Sequence, residues 1–498
     1  MDELFELINP YGRFQKLIMS LIGFSSILAA MTIYSTIFIT ATPKMSCISR
    51  ANLTYLDPCV LIDPNLNEFQ LNTTIYECTL DTIHYGSTII SEYSLWCEKK
   101  LYASLTQTFY MIGTFASILI GYFSDRFGRK KTIIVINFLL TFFLTFNQIT
   151  HLNQFALNVK LRYIIYSITQ FLSGFLSNGL YVVTYVLLME ITIPKFKTKM
   201  TNINSYWYIS GELIVLIIAY VSRDWRLINW FICVYSFIVL ILLIIFLPES
   251  PRYLIQSKQI VKANDLIDQM ARVNQVKNFN VYTQADFLVK FIDKTKVKKE
   301  NIFKIISNDK KILLNSFLLG FVWLSLALVY YGIGLGITNF NFINPYLMYF
   351  FSSLSELLGC LLAYLSDYFK RKRTFCALTL IASVNCFLVA FIPNDESSHL
   401  TLMHSFKIFF TIVGKAFVTA SSICAYVYTT AMFPTEIRGT LFLFVSSLGK
   451  IGSVVSPLIN YAGELIWKPL AYILFACCSF LGCLIIGLLQ DPEKLNLN

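Results

Sequence analysis

The sequence predicts an all-α membrane protein of twelve spanning helices arranged as two six-helix bundles. Three observations carry that reading. The chain is 56% hydrophobic with only 14% charged residues, where soluble domains carry about a quarter. Apolar runs near the length a bilayer demands recur throughout. One charged motif also occurs twice, six runs apart. A mean hydropathy of +0.61 agrees with burial in lipid. The net charge of +11 does not point to nucleic acid, because the basic residues sit between apolar runs and so follow the positive-inside pattern.

A spanning helix needs about 20 apolar residues. The start, "MDELFELINPYGRFQK", is acidic and no small-residue cleavage site follows, so residues 17–40 are expected to be a retained first helix. After the loop 43–99, runs at 102–123, 132–150, 162–189, 200–221 and 227–247 complete an N-terminal half, residues 1–247. Residues 248–311 are polar and Lys-rich with weak helical periodicity, and read as a central loop. Runs at 312–332, 345–366, 374–392, 404–432, 440–461 and 466–489 make residues 312–498 the C-terminal half.

Charge sets the orientation. "DRFGRKK" (125–131), "KFKTK" (195–199), the central loop and "KRKR" (370–373) fall on one side, which the charge rule makes cytoplasmic, together with both termini. The loop 43–99 is then extracellular. It holds Cys47, Cys59, Cys78 and Cys97, as disulfide candidates, and glycosylation sequons at Asn52 and Asn72. Four cysteines allow three pairings, and all three stay open. The repeat strengthens this topology: "GYFSDRFGRKKT" (121–132) follows the second run and "AYLSDYFKRKRT" (363–374) the eighth. An even number of crossings returns both copies to one face. Two parallel six-helix halves place any ligand site near the midplane between them.

Charges inside the apolar runs are the candidates for that site. At about 1.5 Å of rise per residue, Lys450 lies roughly 18 Å beyond Arg438, Glu356 roughly 16 Å before Asp367 and Glu212 roughly 20 Å past Lys199. All three fall near the middle of a core about 30 Å thick. Each costs about 2.5–3.5 kcal/mol to insert, so each is expected to face a cavity, a partner or both. Ser446, Ser447, Gly449, Gly452 and Ser453 let the Lys450 helix pack closely. A permanent Lys450–Glu356 ion pair is the structural alternative to a ligand site. Lys415 falls in the outer part of the tenth helix. Aromatic residues are expected to line the rest, chiefly Tyr206, Trp207, Tyr208, Tyr330 and Tyr331, with Gln107 among the few polar groups. Near the cytoplasmic end, Asp125, Arg126, Arg129 and Glu190 read as a gate network, with Asp367, Arg371, Glu436 and Arg438 as their counterparts.

In order and spacing, "GRFQ" (12–15), "ATP" (41–43), "STIISEYSLWC" (87–97), "LTQTFYMIG" (105–113), "GYFSDRFGRKK" (121–131), "RDWR" (223–226), "PESPRYL" (248–254) and "AYVYTTAMFPTEIRG" (425–439) resemble motifs of the major facilitator superfamily. The match is specifically to its organic-ion branch of organic cation, organic anion and carnitine transporters. One departure is Met432, where those relatives commonly have Glu. The resemblance implies a plasma-membrane carrier that moves small organic ions by alternating access. The position of Lys450 is commonly acidic in organic-cation carriers and basic in organic-anion and carnitine carriers. Glu356, in "SSLSELLG" (352–359), resembles the acid of cation and carnitine carriers. The expectation is therefore a zwitterionic or anionic substrate such as a carnitine-like compound, Lys450 meeting its carboxylate and Glu356 its ammonium. An organic-cation carrier is the alternative; a sugar-type porter and a transport-inactive receptor rank behind it.

Other classes are disfavoured. No Gly-x4-Gly-Lys-Ser/Thr nucleotide loop occurs. His84, His151, His399 and His404 fall in outer regions or at helix ends, where solvation is expected, and form no metal cluster. No Ser-His-Asp or Cys-His arrangement marks an enzyme. The expected partners are a small organic ion and the bilayer, without nucleic acid, for a monomer that needs no cofactor. Coupling to Na+ or H+ is open, with Glu212 as a proton-coupling candidate.

Overall fold

The computed structural model describes residues 2–41, 43, 45–49, 55–56, 76–80, 86–95, 99–151, 158–276, 310–337, 343–365, 369–392, 401–433 and 438–490. The expectations for Cys59, Cys97, Asn52, Asn72, Asp367 and Glu436 lie outside these residues, as do the side chains of Cys47, Cys78 and Arg438.

A short helix α1 (Asp2–Leu7) leads into α2 (Arg13–Ile39). A three-stranded antiparallel sheet follows, β1 (Met45–Ser49), β2 (Tyr55–Leu56) and β3 (Tyr76–Leu80), in the order β2-β1-β3. Its register sets Cys47 opposite Cys78. Helix α3 (Ile89–Tyr93) precedes the rest of the first bundle: α4 (Lys100–Ala116), α5 (Ile118–Phe127), α6 (Arg129–Thr150), α7 (Val159–Glu190), α8 (Pro194–Ser222) and α9 (Trp225–Phe246). The central segment contains α10 (Pro251–Gln256) and the amphipathic α11 (Ile260–Val273). The second bundle runs through α12 (Lys310–Leu335), α13 (Pro345–Leu365), α14 (Arg371–Phe391), α15 (Thr401–Met432), α16 (Arg438–Leu465) and α17 (Leu470–Leu488).

Among the described residues, eleven helices are long and apolar enough to cross a membrane, with α4 and α5 together forming one of them. This is a multi-pass membrane protein. The remaining long helix is α16, 28 residues with Pro457 inside it. Ser446, Ser447, Lys450, Ser453 and Ser456 give it a polar stripe.

Packing repeats between the bundles. In the first, α2 packs on α7, α8 and α9, α4 on α7, and α6 on α7 and α9. In the second, α12 packs on α15, α16 and α17, α13 on α15, and α14 on α15 and α17. Every pair in one bundle has its counterpart in the other. Two main seams join the bundles, α4 with α16 and α8 with α13, and these are exchanged by the same correspondence. The sequence register follows it as well: Arg129 and Arg371, Val159 and Thr401, and Glu190 and Met432 stand at one common interval.

Helix α2 is apolar nearly all round and buried on nearly every face. Its hydroxyls turn back on its own backbone: Thr32 donates to Ala29 O at 2.9 Å, Ser35 to Thr32 O at 3.1 Å and Thr36 to Ile33 O at 2.6 Å. These three hydroxyls are thereby satisfied without water. At the foot of α2, Asn274 accepts from Phe14 N at 2.8 Å and donates to Ile8 O at 2.7 Å, fastening the central segment to the first bundle.

The end carrying the 43–99 segment (the loop end) is tied by two stretches distant in sequence. Glu92 on α3 accepts from Trp225 Nε1 at 2.8 Å and from Arg226 Nη2 at 2.7 Å. His151, expected in solvent, is instead 2% exposed. Its Nδ1–H donates to Asn147 O at 2.6 Å, so Nε2 accepts from the Tyr93 hydroxyl. Burial pushes this imidazole below its ordinary value. The ring belongs to the packing of α3, α6 and Trp225.

Glycine governs the α4–α7 contact. A Cβ on Gly113 would stand 2.1 Å from Phe171 O, and one on Gly174 would stand 2.1 Å from Tyr110 O. Backbones approach this closely only where no side chain intervenes. Gly113→Leu is therefore expected to destabilise the protein by about 1–3 kcal/mol or more through overpacking. A thermal-shift measurement on purified protein checks this, with Gly487→Leu, whose Cβ position meets no atom within 4 Å, as the tolerated control.

Candidate functional site

The mid-membrane charges do not pair as expected. Glu356 on α13 bonds Lys415 on α15, Oε1 to Nζ at 2.8 Å, with the two side chains 3% and 1% exposed. Lys450 on α16 donates instead to Asn178 Oδ1 on α7 at 3.2 Å. The Lys450–Glu356 pair is thus absent, and the reason is helix adjacency. Lys415, expected in the outer part of its helix, instead stands level with Glu356, because α13 packs on α15 while α16 packs on α12 and α4.

Around Glu356 the hydrogen bonds form a directed chain. Tyr330 on α12 donates to both Glu356 oxygens at 3.0 Å. With that proton committed, Tyr330 accepts from the Tyr34 hydroxyl of α2 at 2.9 Å. Lys415 gives a second hydrogen bond to Ser352 Oγ at 2.7 Å, and Ser352 lies one turn before Glu356 on the same face of α13. The ammonium also stands over the rings of Tyr34 and Tyr330, 5.7 and 5.8 Å from their centres. Glu212 on α8, with 0% exposure, is the neighbouring acid from the other bundle.

Lys450 has a different setting. Among the described residues it has no acidic partner. Asn178 is fixed by donating from Nδ2 to Thr114 O at 3.3 Å and to Ser117 Oγ at 2.6 Å, where α4 gives way to α5. That leaves Oδ1 for Lys450 and spans the seam between bundles. Lys450 is partly exposed, unlike Glu356 and Lys415.

The aromatic residues divide accordingly. Tyr208 packs edge-on to Tyr34 and Tyr181, and Tyr331 stands edge-on to Tyr330 at 5.1 Å between ring centres. Tyr181 of the first bundle has Tyr426 and Tyr331 of the second as electrostatic neighbours. Tyr426 meets Trp323 edge-on at 4.6 Å yet is 41% exposed. Trp207 packs on Phe24 and over Gly23. Gln107 donates to Thr40 Oγ1 at 2.6 Å, near the loop end of α2. Tyr206 is 44% exposed.

Contacts between bundles concentrate at the loop end. Lys100 of α4 pairs with Glu464 of α16. Tyr346 of α13 donates to Ala219 O of α8 at 3.4 Å and stacks on Phe38 at 5.4 Å. Phe38 also meets Tyr349 edge-on at 5.0 Å. The rings of Tyr181, Tyr331 and Tyr426 are partly exposed, and Tyr181 and Tyr426 sit in the basic-end halves of α7 and α15.

The basic end holds the charge network expected from the repeat, with an addition. Arg129 forks onto Glu190, Nε to Oε2 at 3.0 Å and Nη2 to Oε1 at 2.8 Å, and reaches Asp125 at 2.8 Å. The addition is Glu249, which accepts the backbone N–H of Arg129 at 2.9 Å and of Lys130 at 3.2 Å, capping α6. Arg252 donates to Glu190 O at 2.9 Å. Arg126 stands apart from this network, over the Phe127 ring. Arg371, the counterpart of Arg129, is exposed, and Met432 occupies the counterpart of Glu190. Among the described residues, the second bundle shows no such fork.

Glu249, Ser352 and Tyr34 are the site residues that sequence reasoning did not single out. Glu249 carried a signal, since an acid in "PESPRYL" lies beside the central basic face. The other two are uncharged and carried none.

The comparisons follow from this geometry. Residues 99–457 match the sequence profile of the Major Facilitator Superfamily. The chain belongs to that superfamily. Its members are membrane transporters and not enzymes. Similar proteins over most of its length include Solute carrier family 22 member 6 of Pseudopleuronectes americanus, 24% identical over 94% of this chain and 88% of that protein. The Organic cation transporter protein of Drosophila melanogaster is 23% identical over 99% of this chain and 92% of that protein. Organic cation/carnitine transporter 2 of Homo sapiens is 26% identical over 98% and 91%. Among solved structures, the inward open xylose transporter XylE from E. coli aligns with a TM-score of 0.66 at 17% identity, covering 96% of this chain and 99% of that one. That likeness shows the shared fold.

Breaking the buried pair from one side strands a charge. Lys415→Met is expected to cost about 3–5 kcal/mol of stability, and adding Glu356→Gln is expected to recover most of it. Thermal unfolding of the two single variants and the double variant checks this; additive losses would show that the pair is not coupled.

Proposed function

We infer that this protein is an alternating-access carrier of small organic ions, with zwitterionic or anionic substrates such as carnitine-like compounds favoured. The observation that carries the reading is Lys450: a partly exposed mid-membrane cation on the seam between bundles, held by an amide oxygen rather than a carboxylate. A substrate carboxylate is the chemistry that completes it, and the rings of Tyr331, Tyr181 and Tyr426 supply apolar walls. Glu356 is neutralised by Lys415 here, so its meeting with a substrate ammonium requires Lys415 to yield.

Several further points support the reading. Helix α16, despite its polar stripe, serves as the twelfth span, since its packing matches that of α8 in the first bundle. With the basic end cytoplasmic and the plasma membrane as location, the loop-end contacts make this an inward-facing state. The Arg129–Glu190–Asp125 cluster would then engage the second bundle when the cytoplasmic side closes. Opposed register positions favour a Cys47–Cys78 disulfide. Names of the relatives, which include organic cation and carnitine transport, agree with an organic-ion substrate. One observation favours the alternative, an organic-cation carrier: Glu212 and Glu356 are two acids beside one base.

Uptake into proteoliposomes of carnitine, an aryl carboxylate and a tetraalkylammonium tests the assignment. A charge-assisted hydrogen bond contributes about 1.5–3 kcal/mol. Lys450→Glu is therefore expected to lower uptake of the two carboxylates by about tenfold or more while sparing or improving the cation. A folded Lys450→Glu variant that moves all three compounds like wild type overturns the assignment.

A further inference from the structure

Glu212 has a carboxylate that the ion pair leaves over. Its side chain is fully buried, and neither oxygen makes a hydrogen bond. Two more buried oxygens share that condition on α13, the Tyr349 hydroxyl and Ser353 Oγ, one turn apart. Glu212 has Glu356, Lys415 and Ser353 as close neighbours, and it influences Tyr349. The unpartnered oxygens therefore gather at one place, beside a pair that is already neutral.

The groups facing Glu212 can be named for each helix around it. They are Tyr34 on α2, Tyr208 on α8 itself, Tyr330 and Tyr331 on α12, Tyr349, Glu356 and Cys360 on α13, and Lys415 on α15. Lys415 is the one cation in this set, and Glu356 holds it at contact distance. A bare carboxylate in a dry interior is so costly that the group takes up a proton instead.

We propose that Glu212 is a proton-binding site that links protonation to the opening and closing of the seam between bundles. The placement makes the link physical. Glu212 belongs to the first bundle and Glu356 to the second, and α8 with α13 is one of the two seams. With a proton on Glu212, the seam closes around one charged acid, one charged base and one neutral acid. When the seam opens to water, the O–H bond of Glu212 breaks, the proton passes to water and the carboxylate left behind is hydrated. Closing again without a proton would press two carboxylates together over a single ammonium. Sodium fits less well, because a second cation would sit against the Lys415 ammonium. The inference rests on the reading of this chain as an alternating-access carrier, and it names the coupling ion.

The test uses the full chain in lipid nanodiscs and needs no substrate, so it stands even where the uptake assays fail. Infrared difference spectra recorded as pH is varied should show the carbonyl stretch of a protonated carboxylic acid at neutral pH. That band should be lost in Glu212→Gln and retained in the Glu356→Gln/Lys415→Met double variant, which removes both partners of the ion pair and leaves Glu212 no cation to ionise against. Genetically encoded spin labels at Val221 and Ile466, exposed at the loop end of opposite bundles, report the seam. Their separation should lengthen as pH rises in wild type and stay short at every pH in Glu212→Gln. Glu212→Asp, which keeps the acid, should restore the pH response if the glutamine variant folds poorly. Three results would overturn the proposal: a band absent from wild type or assigned to Glu356, a pH response unchanged in Glu212→Gln, or a separation set by sodium at fixed pH.

Discussion

A charge placed in hydrocarbon must find an opposite charge, a dipole or water, and the centre of this protein is organised by how each of its charges does so. Glu356 and Lys415 neutralise each other at 2.8 Å. The pair alone would leave lone pairs and protons unsatisfied, and desolvation would then outweigh the Coulomb attraction. Tyr330 and Ser352 take up the remainder, and Tyr34 extends the chain into the first bundle. Through those bonds one ion pair draws in four helices, α2, α12, α13 and α15. Lys450 uses a weaker solution, an amide oxygen and partial exposure, which leaves its charge available to a ligand.

The ends of the molecule follow a different logic, because water is near and backbone groups are exposed. At the basic end Glu249 caps α6 while Glu190 holds the Arg129 fork. A carboxylate at a helix N-terminus is favoured by the unsatisfied N–H groups there. All of these contacts stay within the first bundle. At the loop end Lys100–Glu464 and the Phe38–Tyr346 stack tie one bundle to the other. This asymmetry between the two ends is what a carrier halted in one of its two states has to show, since a seam closed at both ends would admit nothing.

Much of this was legible in the chain. Apolar run length and the duplicated "SD" motif encode the bundles because a bilayer allows helices only of a certain span and sorts basic residues to one side. Arg129, Asp125 and Glu190 were readable as a network because they cluster near one end of their helices. His151 was misread: its place at a helix end implied water, but α3 folds over it and Tyr93 meets its Nε2. Segments separated by many residues in sequence, such as those bearing Glu92 and Arg226, leave no local trace of their meeting.

The division between sequence and tertiary structure is clearest for the three inner charges and Lys415. Rise per residue is constant in a helix, so position along the chain fixes height in the membrane. Sequence therefore determined the fold class, the repeat and the depth of each charge. Which charges touch depends on the direction each side chain takes around its helix and on which helices are neighbours. Both are set only when the bundles pack, and packing put α15 rather than α16 beside α13. That is why Lys415 holds Glu356 and Lys450 stands across the seam.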